Sequence, residues 1–365
     1  LPVGPTARPP GGPTTAIKQH WGCISFQSVT KEKLCQFSIG VDNGGTIVFW
    51  GQNRGIGQPT GIYSNRSGQL LPIVNAVTTI PDSGGSSFYV NNLTTYSFKN
   101  DRLAFIGSTG YPDSPYPLVN EGLFVERSGG ALDKLADRTT QAPGGAAGTF
   151  TSFVGGTGLL AFNGQEVTFN ARTSVTNRIG LYRTQGGTIE TVADVHTPVP
   201  ERPGSTFGDG FRLDVDGHTL AFTDSGNGVY KDVGAGLQKV ADVNTRVPGS
   251  DLFSFGQRIE NVSISNGNVA FDWGSQGVYI EYEGQLAKVI AQGDTLDGKV
   301  VNSTAMSSDA LSGNRLAFFA SFSDGSEGVY VATAVPEASE AAMLLAGLGV
   351  IGVIAHRRRQ INDVV

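Results

Sequence analysis

The pattern that decides the fold of this chain reads Val269-Ala270-Phe271-Asp272-Trp273-Gly274-Ser275-Gln276-Gly277-Val278-Tyr279. Its first triplet is aliphatic, small and Phe, and its second is Gly, aliphatic and aromatic. Apolar residues alternate in both, so one face of each strand can be buried against a neighbour. Gly before the second strand suits a turn with positive φ or a close approach of another backbone. The stretch predicts two consecutive strands joined by a turn.

These two triplets occur six times along the chain, with the Phe positions separated by 47 to 60 residues. The first triplets are Ile47-Val48-Phe49, Leu103-Ala104-Phe105, Leu160-Ala161-Phe162, Leu220-Ala221-Phe222, Val269-Ala270-Phe271 and Leu316-Ala317-Phe318. The second triplets are Gly61-Ile62-Tyr63, Gly122-Leu123-Phe124, Gly180-Leu181-Tyr182, Gly228-Val229-Tyr230, Gly277-Val278-Tyr279 and Gly328-Val329-Tyr330.

Each unit also contains a third element, as at residues 132–137, and a Phe-rich fourth, as at Phe207 with Phe211. Four short strands at this period are typical of propeller blades. The sequence therefore predicts an all-β fold, a six-bladed β-propeller-like ring of four-stranded repeats over residues 16–333. A β-sandwich or an open β-repeat array is the alternative. The sixth repeat lacks its third and fourth strands, so we expect segments 24–29 and 34–39 to pair with it and close the ring.

Composition agrees with this fold class. The 365 residues include 51 Gly, only 16% are charged, and the net charge is −6. Such a glycine-rich chain favours short strands and tight turns. No continuous basic surface is available to follow a phosphate backbone, which argues against nucleic-acid binding. Residues 1–15 are rich in Pro and Gly and are predicted to be disordered.

The repeats are similar to a family of bacterial surface-protein repeats named for an Asn-x-x-Gly-x-x-Ala-Phe element and found with varied C-terminal anchors. Gly267-Asn268-Val269-Ala270-Phe271 and Gly158-Leu159-Leu160-Ala161-Phe162 fit the second half of that element, and Gly45 precedes Val48-Phe49 at the same offset. The resemblance covers about 290 residues of the sequence. It implies a surface protein and no known activity.

The C-terminal segment, residues 334–360, has a different character. An uncharged run of fifteen residues, 341–355, is followed by His356 and three arginines. As a helix it would span roughly 22 Å. This predicts a single hydrophobic helix anchored in a membrane, with the arginines on the cytoplasmic side. An ordinary C-terminal anchor without processing is one interpretation of it.

The same segment resembles the PEP-CTERM sorting signal of Gram-negative surface proteins. Val335, Pro336 and Glu337 match its Val-Pro-Glu-Pro-type motif, with Ala338 at the usual second proline. The apolar helix and the cluster Arg357, Arg358 and Arg359 match its other two parts. The resemblance implies export, processing by an exosortase-type enzyme in the inner membrane, and delivery to the cell envelope or extracellular matrix.

An exported chain needs an export signal, and no charged-then-apolar leader occurs in the first thirty residues. We therefore expect a leader upstream of Leu1. Cys23 and Cys35 lie twelve residues apart. In an exported protein a disulfide between them is plausible, and two buried free thiols are the alternative.

Known catalytic and metal-binding motifs are mostly absent from the sequence. The four His residues do not stand at HExxH spacing, and neither a Gly-x-Ser-x-Gly elbow nor a phosphate-binding loop occurs. No catalytic residue, metal ligand or cofactor is predicted. Ca²⁺ is the one cofactor left open, because segment 209–217 places Asp209, Asp214 and Asp216 in a Gly-containing stretch. Turn aspartates more often bond their own backbone.

The sequence leaves enzymatic activity open and favours a non-catalytic structural or recognition module, exported and attached to the cell surface or extracellular matrix. Its expected partners are the processing enzyme, the membrane and an extracellular polysaccharide or protein. The alternative is a polysaccharide-active, glycosidase-like enzyme on a propeller scaffold. Its carboxylates would be Asp137, Asp194 and Asp242, which recur at one repeat position. Such recurrence is also what a shared structural turn produces.

Overall fold

The computed structural model describes residues 23–25, 33–41, 46–52, 60–68, 71–89, 95–110, 121–127, 130–144, 148–156, 158–224, 228–250, 253–256 and 259–334. Within these ranges the regular elements are β-strands, with two short 3₁₀ turns at Arg66–Gly68 and Gly274–Gln276. All strand pairs described are antiparallel.

The strands form six sheets that follow one another along the chain. Sheet 1 contains β1 (Cys23–Ser25), β2 (Lys33–Val41), β3 (Ile47–Gln52), β4 (Gly61–Ser64) and β5 (Leu71–Asn75). Sheet 2 contains β6 (Tyr96–Lys99), β7 (Arg102–Gly107), β8 (Gly122–Glu126) and β9 (Leu132–Asp137). Sheet 3 contains β10 (Phe150–Phe153), β11 (Leu160–Phe162), β12 (Val167–Thr173), β13 (Ile179–Gln185) and β14 (Thr188–Ala193).

Sheet 4 contains β15 (Phe211–Asp216), β16 (Thr219–Asp224), β17 (Gly228–Asp232) and β18 (Leu237–Asp242). Sheet 5 contains β19 (Ile259–Ser265), β20 (Asn268–Trp273), β21 (Gly277–Tyr282) and β22 (Gln285–Ala291). Sheet 6 contains β23 (Thr295–Leu296), β24 (Lys299–Ala305), β25 (Leu311–Ser312), β26 (Arg315–Phe322) and β27 (Glu327–Thr333). The all-β, propeller-like architecture of consecutive, mostly four-stranded repeats is therefore confirmed.

One aromatic pair fixes the register in every sheet. The Phe of one strand and the aromatic residue of the next are direct cross-strand partners, and their ring centroids lie 5.5–6.2 Å apart. A slip by one residue would move both rings to the opposite face, so the pair specifies the register. The pairs are Phe49–Tyr63, Phe105–Phe124, Phe169–Tyr182, Phe222–Tyr230, Phe271–Tyr279 and Phe318–Tyr330.

The third pair corrects the sequence interpretation, which placed the anchor at Phe162. Residues Leu160–Phe162 form β11, a short strand that pairs with β12, whereas Phe169 on β12 is the partner of Tyr182. The physical reason is burial on one common face. Phe169 is fully buried and stacks among Phe150, Phe153 and Tyr182.

Side chains along each strand point alternately to its two faces, so sheets 2 to 5 each contribute to two clusters of the core. In β16, Leu220 and Phe222 face a cluster shared with sheet 3, and Ala221 between them faces a cluster shared with sheet 5. In β16 the large side chains thus point to the preceding sheet and the small one points to the following sheet. The described residues form five such clusters, one for each contact between consecutive sheets.

A Phe in the loop that leads into a sheet, or at the end of that loop, completes four of these clusters and is called the loop Phe below. Phe150, Phe207 and Phe255 each meet the Tyr of their own sheet edge to face, with centroids 4.8–5.0 Å apart and planes at 80–89°. Phe88 meets Phe124 in the same way at 5.0 Å. This geometry is the one that aromatic quadrupoles prefer. In these four repeats a Phe of the connecting segment therefore supplies a side chain that joins one sheet to the next.

The predicted pairing of segments 24–29 and 34–39 with the sixth repeat is wrong. β1 pairs with β2, and β2 pairs with β3, so both strands belong to sheet 1. A hairpin between segments close in sequence closes a much shorter loop than a pairing with the sixth repeat, and loop-closure entropy favours the shorter one. The register of β1 and β2 places Cys23 opposite Cys35.

Sheets 3 and 6 also approach each other. A Cβ built on Gly158, in the loop before β11, would lie 3.0 Å from the hydroxyl oxygen of Ser308, which precedes β25. Each sheet packs against the next one along the chain, and in addition the loop before β11 of sheet 3 lies close to the segment before β25 of sheet 6. Such an array curves back on itself, as a propeller does and a straight stack of sheets does not.

Candidate functional site

The recurrent aspartates of the repeats lie in turns with the same hydrogen bonds. Asp242 Oδ1 accepts hydrogen bonds from Asn244 N at 3.0 Å and Thr245 Oγ1 at 2.8 Å, and Thr245 Oγ1 accepts one from Asp242 N at 2.9 Å. Asp137 and Asp194 make the same bonds in their own turns. These are Asx turns that fold the loop locally. The bonds give the three candidate carboxylates a structural role.

The sequence reading missed a fourth member of this set. Asn75 Oδ1 accepts from Val77 N and Thr78 Oγ1, and Thr78 Oγ1 accepts from Asn75 N. The signal that could have found it is the spacing to the loop Phe, which is thirteen residues in all four cases. The four loops are Asn75 to Phe88, Asp137 to Phe150, Asp194 to Phe207 and Asp242 to Phe255.

The Asp-rich segment 209–217 binds neighbouring strands. Asp214 Oδ2 accepts from Ser263 Oγ at 2.8 Å and Ile264 N at 2.9 Å, both on sheet 5. Asp216 Oδ2 accepts from Asn266 N at 2.8 Å. Asp209 Oδ1 accepts from Ile179 N on sheet 3. In the described residues no group of three or more His, Cys, Asp or Glu side chains is arranged to hold a metal ion.

The polar chain continues into sheet 6. Ser263 Oγ, which donates to Asp214, accepts from Leu311 N at 3.0 Å, and Ser265 Oγ accepts from Gly313 N at 3.0 Å. Hydrogen bonds from Ser263 and Ile264 to Asp214, and from Leu311 N to Ser263 Oγ, therefore connect sheets 4, 5 and 6. Buried polar groups of this kind are costly to leave unpaired, so the network fixes how the sheets are placed.

Burial strongly raises the pKa of the Asp214 carboxyl group. Desolvation, together with the nearby charge of Asp309, raises the pKa of Asp214 from 3.8 to about 7, against the opposing effect of its hydrogen bonds. Desolvation also raises the pKa of Asp272, which accepts from Asn261 and Met306, and the pKa of Glu121. By contrast, Thr139 and Lys134 lower the pKa of Asp137 to about 2 although burial opposes them.

These shifts predict that the protein is most stable in mildly acidic solution. Between about pH 4 and pH 7 the folded state keeps the Asp214 proton that the unfolded state releases, so the free energy of unfolding falls as the pH rises. Below pH 4 the stabilisation from ionised Asp137 is lost as that group is protonated. Melting temperatures measured from pH 3 to pH 8 should therefore peak near pH 4.

Two variants check the assignment. Asp214→Asn keeps an oxygen that accepts from Ser263 and Ile264 but does not titrate. The decrease in melting temperature between pH 5 and pH 7 should therefore be smaller in this variant. Asp309 is exposed, and its charge helps to raise the pKa of Asp214. Asp309→Asn should therefore shift the decrease in melting temperature to lower pH. A melting temperature that rises steadily from pH 5 to pH 8 in the unsubstituted protein would contradict the prediction.

A cavity of about 600 Å³ lies where sheets 4, 5 and 6 meet. Three hairpin turns line it, at residues 266–268, 281–284 and 313–314, together with Lys231 and Val233 at the end of β17. Two of the turns hold both central residues at positive φ, with Asn266 at 51° and Glu283 at 50° ahead of Gly267 and Gly284. This is the type I′ geometry for which Asn-Gly pairs are suited.

A buried ion pair lines this cavity. Lys231 Nζ lies 2.6 Å from Glu281 Oε2 and donates to the carbonyl oxygen of Gly267 at 3.1 Å. The Lys231 and Glu281 side chains are only 13% and 10% exposed. Asn268 Oδ1 accepts from Glu283 N at 2.8 Å, which ties two of the turns together. The ion pair neutralises the cavity's lysine, and Glu283 leaves the lining slightly acidic.

The last described residue, Ala334, lies beside this cavity. Ala334 N donates to the carbonyl oxygen of Asn314 at 2.8 Å, and Asn314 Nδ2 donates to the carbonyl oxygen of Ala334 at 3.0 Å. Asn314 is part of the cavity lining. Whatever follows Ala334 therefore starts within a few ångströms of the cavity.

Several predicted residues cannot be placed. The sorting-signal residues Val335, Pro336, Glu337, Arg357, Arg358 and Arg359, the apolar run 341–355 and segment 1–15 lie outside the described residues. Cys23 and Cys35 are described only as backbone partners. Across the described ranges, no helix has both the length and the apolar character needed to span a membrane.

Comparison with known proteins gives one family match. The model of a family of unknown function, DUF7453, matches residues 19–217. No curated protein sequence matches the chain.

Among solved structures, the chain is similar to an acylaminoacyl peptidase from Pyrococcus horikoshii, at 12% identity and a TM-score of 0.45, over 85% of this chain and 46% of the peptidase. The chain thus spans less than half of that protein's length. It is also similar to YCF48 from Cyanidioschyzon merolae, at 13% identity and a TM-score of 0.37, over 86% and 90% of the two chains. A third is an endo-arabinase from Bacteroides thetaiotaomicron, at 10% identity and a TM-score of 0.25, over 82% and 93%.

Proposed function

We propose that this chain, which belongs to the DUF7453 family of unknown function, is an exported and non-catalytic recognition module of the cell surface or extracellular matrix. The observation that carries the proposal is the order of three features after the repeat domain. Val335-Pro336-Glu337 follows directly on Ala334, the last residue of the described fold, and an apolar run and three arginines come next. The sequence motif supports a sorting signal that begins just after the last described strand of the repeat domain.

The repeat domain is suited to such a role. Its recurrent aspartates bond their own turns, and its buried carboxylates bond backbone amides of neighbouring sheets. A rigid array of sheets with open hairpin turns provides a stable surface for binding a polymer or protein. We expect an exosortase-type enzyme to process the segment after Ala334 and to release the array to the envelope or matrix.

The test uses the full chain with a secretory signal peptide fused before Leu1 and an epitope tag at that end. In a Gram-negative host that encodes an exosortase, we expect a shortened form in the envelope or medium. Replacing Arg357, Arg358 and Arg359 by Ala, or Pro336 and Glu337 by Ala, should leave the full-length form in the inner membrane. A host without the exosortase should behave as these variants do.

Arg315→Ala is the matched control, because Arg315 is an exposed arginine within the repeat domain. It should be processed as the unsubstituted chain is. The proposal fails if the exported chain keeps its full length and location in both hosts, or if the arginine variants are processed normally.

A further inference from the structure

We propose that the cavity between sheets 4, 5 and 6 binds a neutral, hydroxyl-rich ligand, a saccharide unit of the polymer on which the protein is displayed. The inference rests on the proposed function for its biological setting, and on the lining of the cavity for its chemistry. The cavity volume of about 600 Å³ is sufficient for one or two sugar rings, since small-molecule sites span roughly 300–1,000 Å³.

The charges of the lining exclude an anionic ligand. Its one lysine, Lys231, is already paired with Glu281 at 2.6 Å and with the Gly267 carbonyl oxygen. Glu283 adds a carboxylate at the opening, where it is exposed. A uronic acid or phosphate would meet repulsion from Glu283 and no cation available to pair with it.

The same lining does not suit a purely apolar ligand. Val233 and Tyr282 are its apolar side chains, and the remaining positions are polar or glycine. Among the described residues, the Asn266 side-chain amide, the Glu283 carboxylate and the Tyr282 hydroxyl have no hydrogen-bond partner. Together they provide donors and acceptors in the mixture that sugar hydroxyls require.

Tyr282 gives the site its aromatic surface. It is half-buried and packs against the cluster shared by sheets 5 and 6, which holds its ring in place. A ring that is apolar on its face and polar at its hydroxyl end suits a ligand with both C–H and O–H groups. The rigid hairpin turns on either side should limit the entropy lost when such a ligand binds.

The position of the cavity agrees with a ligand on the surface to which the protein is attached. Asn314 lines the cavity and holds Ala334 by two hydrogen bonds, so the segment that we propose as the sorting signal begins one residue beyond the edge of the cavity. A protein tethered through this end keeps the cavity close to the surrounding polymer, where effective concentration favours even weak binding.

The experiment applies the full chain, in a detergent without a sugar head group, to an array of neutral and uronic-acid oligosaccharides, followed by calorimetric titration of the neutral ligands that bind. We expect binding to neutral oligosaccharides in preference to acidic ones. The test variant combines Asn266→Gly, which keeps the positive-φ turn, with Tyr282→Phe, which keeps the packing. Loss of two hydrogen-bonding groups should weaken binding roughly tenfold.

The control variant is Gln185→Ala on sheet 3. Gln185 precedes the two-residue turn Gly186-Gly187 as Tyr282 precedes Glu283-Gly284, and it lies outside the cavity. Its affinity should equal that of the unsubstituted chain. Absence of neutral-saccharide binding at millimolar concentration, a preference for acidic oligosaccharides, or equal affinity in the test variant would each overturn the inference. Export and processing, measured separately, would then still stand for the proposed function.

Discussion

Phe271→Ala is expected to lower the free energy of unfolding by about 3–5 kcal/mol, the range found for fully buried Phe. The Phe271 ring is completely buried, lies 5.4 Å from Phe255 and 5.8 Å from Tyr279, and belongs to the cluster shared by sheets 4 and 5. Removing it leaves a cavity at the point that fixes the register of β20 and β21. Urea unfolding followed by Trp fluorescence measures the loss.

Phe253→Ala is the matched control, because the same side chain is deleted from the loop that carries Phe255. Phe253 is 65% exposed. Its removal should change the free energy of unfolding by less than about 0.5 kcal/mol. Equal stability of the two variants would show that the aromatic pairs do not organise the core.

Gly228→Ala is expected to destabilise the protein by about 2–5 kcal/mol, through backbone strain and overpacking together. A Cβ at Gly228 would lie 2.2 Å from the carbonyl oxygen of Ala241, on the neighbouring strand β18, and Gly228 has a φ of 146°. The overlap involves backbone on both sides, so no rotamer change relieves it. The sheet would have to open at its bulge between β17 and β18.

Gly234→Ala measures the cost of backbone strain without the cost of overpacking. Gly234 also has a positive φ, 89°, but nothing lies within 4 Å of the Cβ it would gain. It should therefore show only the cost of strain, about 1 kcal/mol or slightly more. Thermal unfolding of both variants should give a clearly lower melting temperature for Gly228→Ala. A Gly234 variant as unstable as the Gly228 variant would show that close packing contributes nothing.

The periodic part of the fold could be predicted because its signal is local. Phe271 and Tyr279 lie eight residues apart, and the turn between them sets their pairing. The Gly of the second triplet was also interpreted correctly as a point of close approach, since a Cβ at Gly61 would lie 2.3 Å from the Val74 carbonyl oxygen. Positive φ at this Gly holds for Gly228 and is not needed at Gly61.

Errors arose where one local pattern competed with another. Leu160-Ala161-Phe162 matches the repeat in its letters, but Val167-Thr168-Phe169 follows seven residues later and has Tyr182 as its partner. Only the three-dimensional packing of Phe150 and Tyr182 selects the second triplet. The pairing of β1 and β2 was missed for a related reason, because an edge strand carries no mark of which sheet it joins.

The candidate site depends on contacts that are distant in sequence. Asp214 meets Ser263 and Ile264 about fifty residues later, and alternating carboxylates look the same in sequence whether they face a cation or a neighbouring strand. The cavity is built in the same way, from hairpin turns of sheets 5 and 6 and the end of one strand of sheet 4. The spacing of residues along the chain predicts each turn, but it does not predict which turns lie next to one another in the folded protein.

The sharing of every core cluster between two adjacent sheets has a consequence for how such chains change over generations. A duplication or excision whose breakpoints fall at the same position in two Asp-x-x-Thr turns, such as Asp194 and Asp242, joins the preceding half of one cluster to the equivalent following half of another. Each remaining interface then still has both of its halves. Unequal recombination would therefore alter the number of repeats with little energetic penalty at the junctions, and the array would grow or shrink by one whole sheet at a time.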